Sequence, residues 1–70
     1  MKECLLTEFG ARIKKLRQDR QLTQNDLANK SGLHKNYIGM IERGERNPSL
    51  LNIGLISRAM DISLSEMMNF

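Results

Sequence analysis

The sequence predicts an all-α fold, a bundle of five short helices in a single domain spanning residues 1–70. Apolar residues recur at intervals of three and four along most of the chain, which is the period of an amphipathic helix. Residues that cap or end helices separate these stretches, among them Thr23, Gly32, Gly44 and Pro48. A chain of 70 residues buries only about 60% of its unfolded surface, so a second subunit is expected to add stability.

Helix one is predicted from about Leu5 to Arg20. Its core stripe is Leu6, Phe9, Ile13 and Leu16. The basic residues Arg12, Lys14, Lys15 and Arg20 are expected to point outward.

Helix two is predicted from Gln24 to Ser31. The hydroxyl of Thr23 can cap it, and Asp26 in the first turn suits the positive end of the helix dipole. Gly32 tolerates the left-handed conformation that commonly ends a helix.

Helix three is predicted from Lys35 until Gly44 ends it. His34 precedes it at the capping position and accepts a hydrogen bond only as a neutral imidazole. Two interpretations follow, a pH-sensitive cap or simply a weaker one. Ile38 and Ile41 face inward, and the other face carries Lys35, Asn36, Gly39, Met40 and Arg43. Two helices joined by a short glycine-containing turn are typical of DNA-binding proteins, although adjacent helices are also common elsewhere.

Helix four is predicted from about Leu50 to Met60 after the cap Ser49, and a short helix five follows the capping box of Ser63 and Glu66 and runs to about Met68. The core stripe of helix four is Ile53, Ile56, Ala59 and Met60. Further apolar residues exceed what a small core requires, which indicates a two-fold dimer through helices four and five. The predicted interface is Leu51, Leu55, Met67, Met68 and Phe70. The alternative is that these residues fill the core of the monomer or belong to a frayed end of the chain.

Charge is distributed unevenly. Residues 1–48 hold ten of the eleven Lys and Arg and six of the eight acids, a net charge of +4, whereas residues 49–70 carry −1. The basic part contains helix three, which suits a polyanionic partner. Solvated surface charge is the competing interpretation for any single residue.

Several function classes are not expected. Cys4 is the only cysteine, so an internal disulfide is impossible, and no metal-ligand spacing or phosphate-binding loop occurs. We therefore expect no enzyme activity, no cofactor, no metal and no small-molecule ligand. With no apolar run near 18 residues and no signal-peptide core, the protein is expected to be cytoplasmic, away from membranes.

Three segments carry a resemblance to a known family. The runs LTQNDLA, SGLHKNYIGMIERG and NPSL resemble the helix-turn-helix of phage repressor and Cro-type regulators, and GLHKNYIGMIERGERN is similar to controller proteins of restriction-modification systems. The resemblance covers roughly residues 10 to 68. It implies a lambda-repressor-like fold with the helix-turn-helix at helices two and three. It also implies a regulator that binds an operator in double-stranded DNA as a homodimer, with RNA polymerase as a further candidate partner.

The resemblance, together with the chemistry of base edges, assigns roles to individual residues. An asparagine amide suits adenine and a lysine suits guanine. The base-reading set is Lys35, Asn36, Gly39, Met40 and Arg46. The phosphate-binding set is Gln24, Thr23, Tyr37, Arg43 and Asn47. Lys35 and Gly39 stand where controller proteins more usually have arginine and serine. Arg17 and Glu42 are implied to form a partly buried ion pair, with an exposed pair as the alternative.

A protein-binding function is the second hypothesis. An antitoxin could use the same fold, binding a toxin through its apolar C-terminal region while regulating its own operon. Since such proteins often bind DNA as well, DNA binding alone would not separate the two hypotheses.

Overall fold

The computed structural model describes residues 2–70, with side chains from Cys4 onward. It contains the helices α1 (Lys2–Asp19), α2 (Gln24–Ser31), α3 (Lys35–Glu42), α4 (Leu50–Ala59) and α5 (Leu64–Met67). No strand occurs among these residues, so the predicted all-α fold of five helices is confirmed. α1 begins at Lys2 rather than near Leu5 because the intervening residues include no proline or glycine to stop a helix.

The predicted caps determine where α2 and α3 begin. The Thr23 hydroxyl accepts from the Asp26 N–H at 3.0 Å, and the Asp26 carboxylate accepts from the Thr23 N–H at 2.9 Å. This reciprocal pair is a capping box. Nδ1 of His34 accepts from the Asn36 N–H at 3.0 Å, and Gly32 ends α2 at φ 77°. These bonds are local in sequence, which is why both starting residues could be predicted.

The core lies where α1, α2 and α3 meet α4 and α5. Its fully buried large side chains are Ile13, Leu27, Ile38, Ile41, Ile56 and Met67. α1 comes closest to α3 at Gly10, where an added Cβ would overlap the Ile41 carbonyl oxygen and lie 2.7 Å from the Glu42 carbonyl oxygen. Glycine at this position therefore lets the two helix backbones touch.

Met67 does not belong to a subunit interface, so that part of the predicted interface is wrong. Its side chain is 0% exposed and completes the core of the monomer. The physical reason is that α5 folds back onto α1, where the Arg12 guanidinium donates to the Glu66 carbonyl at 2.7 Å and to the Met67 carbonyl at 3.4 Å. Helical periodicity alone could not predict this return of the chain.

Two arginines predicted to point outward instead bind helix ends. Besides Arg12, the guanidinium of Arg20 donates to the Met60 carbonyl at 2.8 Å, beyond the last turn of α4. A cation at a helix C-terminus satisfies carbonyls that lack partners and complements the dipole. Part of the basic charge of α1 is thus structural, and only the remainder is available to a polyanion.

Candidate nucleic-acid interface

The first turn of α3 presents polar side chains to solvent. Lys35 and Asn36 are exposed, whereas Ile38 and Ile41 on the opposite face are buried. The helix therefore rests on the core by one side only and leaves its N-terminal residues free. In a helix-turn-helix, the residues at that end of the second helix reach base edges in the major groove.

Gly39 is not part of this exposed surface, which corrects its assignment to base reading. The residue is buried, and an added Cβ would lie 3.1 Å from Nη1 of Arg43 and 3.5 Å from Oε1 of Gln24. These two side chains lie over the glycine because it has none of its own. Gly39 thus affects the interface by letting Arg43 and Gln24 pack against the helix.

Arg46 lies back against the outer face of α3. Its guanidinium carbon is 5.2 Å from the centroid of the Tyr37 ring, a cation–π distance, and its Nη1 is 3.9 Å from Sδ of the half-buried Met40. The loop after α3 therefore places a cation beside the helix, near the other residues assigned to base reading.

The hydroxyl of Tyr37, which is assigned to a phosphate, already accepts one hydrogen bond. It accepts from Nδ2 of Asn52 at 3.0 Å and keeps one proton to donate. Asn52 lies in the first turn of α4, and its own N–H is capped by Oγ of Ser49 at 3.1 Å. Sequence reasoning missed Asn52 because no local pattern indicates a bond across 15 residues.

Arg43 is paired with an acid on the same surface. Its Nε lies 3.0 Å from Oε2 of Glu45 and its Nη2 lies 3.2 Å from Oε1. The hydrogen bond from Arg43 holds the pKa of the Glu45 carboxyl below its usual value, and the same bond raises the pKa of the Arg43 guanidinium. Because both side chains are more than half exposed, the pair adds little stability. It occupies an arginine assigned to DNA phosphates.

The Arg17–Glu42 ion pair lies behind the interface and links α1 to α3. Nε of Arg17 lies 2.7 Å from Oε2 of Glu42 and Nη2 lies 3.0 Å from Oε1, with side chains 9% and 2% exposed. Arg17 also donates to the Leu22 carbonyl at 2.8 Å. Gln24 donates to Oε1 of Glu42 at 3.0 Å, which leaves its second amide hydrogen for a phosphate.

An open groove joins several predicted contacts. It has a volume of about 630 Å³ and runs from the end of α1 past the start of α2 to Lys35. Thr23 and Gln24 line it together with Lys35, so two residues assigned to phosphates adjoin one assigned to bases. Asn47 is exposed but lines a different, apolar cavity. The groove is therefore formed by the first part of the helix-turn-helix and not by the loop after it.

The predicted dimer residues do not form one surface. Leu51, 72% exposed, and the half-buried Leu55 line a groove of about 260 Å³ beside Gly54. Met68 and Phe70, each 45% exposed, line a separate cavity of about 120 Å³, and the Phe70 ring packs 5.9 Å from that of Phe9. Sequence reasoning missed Leu50 and Leu64, which are 77% and 43% exposed in the first groove.

The described part of the chain lacks two other kinds of feature. Residues 2–70 contain no helix that is both long and apolar enough to cross a membrane. Within the same residues, no three His, Cys, Asp or Glu side chains cluster as metal ligands would.

Comparison with known proteins supplies relatives along most of the chain. The profile of the helix-turn-helix family matches residues 13–67. The Control protein C.MunI from Mycoplasma sp is 42% identical over 60 residues, which cover 84% of this chain and 81% of that protein. The Immunity repressor protein of Bacillus phage phi105 is 43% identical over 56 residues, 80% of this chain, but the chain spans only 39% of its length.

Solved structures share the same arrangement of helices. The restriction-modification controller protein C.AhdI from Aeromonas hydrophila superposes with a TM-score of 0.90 at 44% identity, covering 91% of this chain and 97% of that one. The controller protein C.Esp1396I, solved as a tetramer in complex with its natural 35-base-pair operator, has a TM-score of 0.83 at 39% identity, covering 91% and 88%.

Proposed function

The chain belongs to the helix-turn-helix family, and we propose that within this family of DNA-binding transcription regulators it acts as a controller protein of a restriction-modification system. In this proposal it binds a near-palindromic operator as a homodimer. The observation that carries it is the exposed first turn of α3, with Lys35 and Asn36 outermost, in a chain whose relatives include controller proteins. A contact with RNA polymerase stays a prediction of the resemblance.

Base reading is assigned to the exposed end of α3. The Asn36 amide can donate to N7 of adenine and accept from the exocyclic amine of the same base. Lys35 can donate to N7 and O6 of guanine. Arg46, placed beside α3 by Tyr37 and Met40, is the third candidate. Thr23 and Gln24 in the adjoining groove, with Arg43 and Asn47 after α3, would hold the sugar-phosphate backbone, which sets the position of the helix on the duplex.

Dimerisation is assigned to the groove beside Gly54. Leu50 and Leu51 on α4 and Leu64 on α5 leave a large part of their apolar surface in water, which a second copy would cover. We therefore propose that residues 1–70 form one domain that both binds DNA and dimerises through α4 and α5. Two recognition helices about 34 Å apart would then meet successive major grooves on one side of the duplex.

The DNA assignment is tested by footprinting on the DNA upstream of the gene for this chain, followed by binding of the protected duplex and a scrambled one. Asn36→Ala is expected to lower discrimination at one base position by about 1 to 3 kcal/mol. Affinity of the wild-type protein should fall steeply with salt. Asn69→Ala, which removes an exposed amide beyond α5, is the matched control. Discrimination by Asn36→Ala equal to that of the wild type would refute the assignment.

The dimer is tested by sedimentation of Leu51→Glu. Because Leu51 is 72% exposed, the charge should leave the monomer folded and prevent association. Leu5→Glu, at an exposed leucine on α1, should remain a dimer. A wild-type chain that aggregates unless it is co-expressed with the product of a neighbouring gene would instead support the antitoxin hypothesis.

A further inference from the structure

A chain of three contacts connects α4 with the loop that follows α3. Nδ2 of Asn52 donates to the Tyr37 hydroxyl at 3.0 Å, the Arg46 guanidinium lies 5.2 Å from the centre of the Tyr37 ring, and Nη1 of Arg46 reaches Sδ of Met40 at 3.9 Å. Asn52 is the only one of these residues outside α3 and its following loop.

Asn52 is itself held in place. Its backbone N–H donates to the capping hydroxyl of Ser49 at 3.1 Å, so the amide projects from the well-defined first turn of α4. Since Asn52 donates to the phenol oxygen, the phenol proton is left to donate elsewhere, and an anion at the protein surface is a suitable acceptor. The bond therefore orients both the ring and its remaining donor.

Arg46 depends on that ring. Its side chain is exposed, and a long exposed side chain loses rotamer freedom whenever it is held in a single geometry. A ring that is already fixed on α3 lowers this cost at the moment of binding, as preorganisation generally does. Without the bond from Asn52, the ring would keep its packing against the core, but its hydroxyl would lose this fixed partner.

We propose that Asn52 is a positioning residue for DNA recognition, which holds the Tyr37 ring so that Arg46 and the Tyr37 hydroxyl are oriented before DNA arrives. This inference rests on the proposed DNA-binding function. Asn52 acts through Tyr37 and does not itself bind a phosphate. Asn52 lies on α4, next in sequence to Leu51 of the proposed dimer groove, so α4 would contribute to both DNA recognition and dimerisation.

The first test needs no DNA. Tyr37 is the only tyrosine in the chain, so its ring resonances in an NMR spectrum are unambiguous. Asn52→Ala and Arg46→Ala should each shift these resonances, while Asn69→Ala should leave them unchanged. Ring resonances that do not respond to Asn52→Ala would overturn the proposal, whatever the protein binds.

The second test is a double-mutant cycle on the duplex that the wild-type protein selects from a randomised pool. Asn52→Ala should weaken binding about fivefold, the factor that one typical hydrogen bond is worth. In the background of Tyr37→Phe, which retains the ring but lacks the acceptor, the same change should have no further effect. If the double variant instead loses affinity by the product of the two single losses, Asn52 contacts DNA directly and the proposal is overturned.

Asn52→Asp serves as the second variant in case alanine destabilises α4. An aspartate keeps the size of the side chain and is favourable in the first turn of a helix, but its carboxylate cannot donate to Tyr37 and would instead accept the phenol proton that the proposal leaves for an anion. Because the added charge itself repels phosphates, the diagnostic measurement for this variant is the NMR spectrum: the tyrosine resonances should shift, and unchanged resonances would contradict the proposal. A wild-type protein that selects no duplex would refute the proposed function while leaving the NMR result intact.

Discussion

Replacing Arg17 by methionine should destabilise the fold by about 3 to 5 kcal/mol, the usual cost of leaving a buried charge without its partner. The change preserves an unbranched apolar side chain but removes the guanidinium from the Glu42 carboxylate, whose side chain is 2% exposed. It also leaves the Leu22 carbonyl without its donor. Gln24 would remain as a neutral donor to Glu42, which offsets only part of the loss.

The magnitude follows from the number and kind of bonds. Arg17 makes two bonds to the carboxylate, at 2.7 and 3.0 Å, and a bond to a charged group contributes about 1.5 to 3 kcal/mol. Domains are stabilised by about 0.05 to 0.15 kcal/mol per residue, so a chain of 70 residues would lose a large fraction of its stability. The variant should therefore unfold at a markedly lower urea concentration than the wild-type protein.

The measurement is urea denaturation followed by circular dichroism, with all proteins at one concentration because dimerisation shifts the apparent stability. Lys15→Met is the matched control, since the Lys15–Asp19 pair has side chains 66% and 55% exposed and should contribute about 0.3 to 0.5 kcal/mol. Replacing Arg17 and Glu42 together by apolar residues should recover much of the loss. Equal effects of Arg17→Met and Lys15→Met would refute the burial argument.

Three further predictions use other contacts. Gly10→Ala should destabilise the fold by about 1 to 3 kcal/mol in the same urea assay because its Cβ would meet carbonyl oxygens of α3; an unchanged midpoint would contradict this. Glu45→Gln should strengthen DNA binding and steepen its salt dependence by about one phosphate contact, since Arg43 loses its carboxylate partner. Weaker binding would count against it. The hydrogen bond from the Thr23 N–H lowers the pKa of the Asp26 carboxyl in the folded protein. The ionised carboxylate therefore stabilises the fold above pH 3.8, the ordinary pKa, and this contribution is lost as pH falls through the lower pKa of the folded state. Asp26→Asn should remove this dependence of the unfolding free energy on acid pH, and identical acid titrations of the variant and the wild-type protein would contradict the prediction.

The boundaries of the helix-turn-helix could be predicted because they depend on neighbours in sequence. Thr23 bonds to Asp26 three residues away, and His34 bonds to Asn36 two residues away. Gly32 adopts its positive φ for a reason contained in the residue itself. The partners of such short-range interactions lie within three or four positions of one another, so a short window of sequence contains both.

The candidate site was only partly predictable. The helical period correctly separates the exposed Lys35 and Asn36 from the buried Ile38, but it also places Gly39 outside, where Arg43 and Gln24 cover it. Residues on one face of a helix share a direction, yet a side chain from another element decides whether that face reaches solvent. The role of Asn52 depends on such a contact and has no signature in sequence.

By itself, the sequence determined the all-α class, the starting residues of α2 and α3, and the basic character of residues 1–48, because caps, periodicity and charge are local properties. The tertiary structure alone decided that Met67 belongs to the core, that Arg12 binds the end of α5, and that the apolar surplus divides into two separate patches. These outcomes depend on how the last two helices return to α1, and that return reflects the packing of the whole bundle, which no short window of sequence contains.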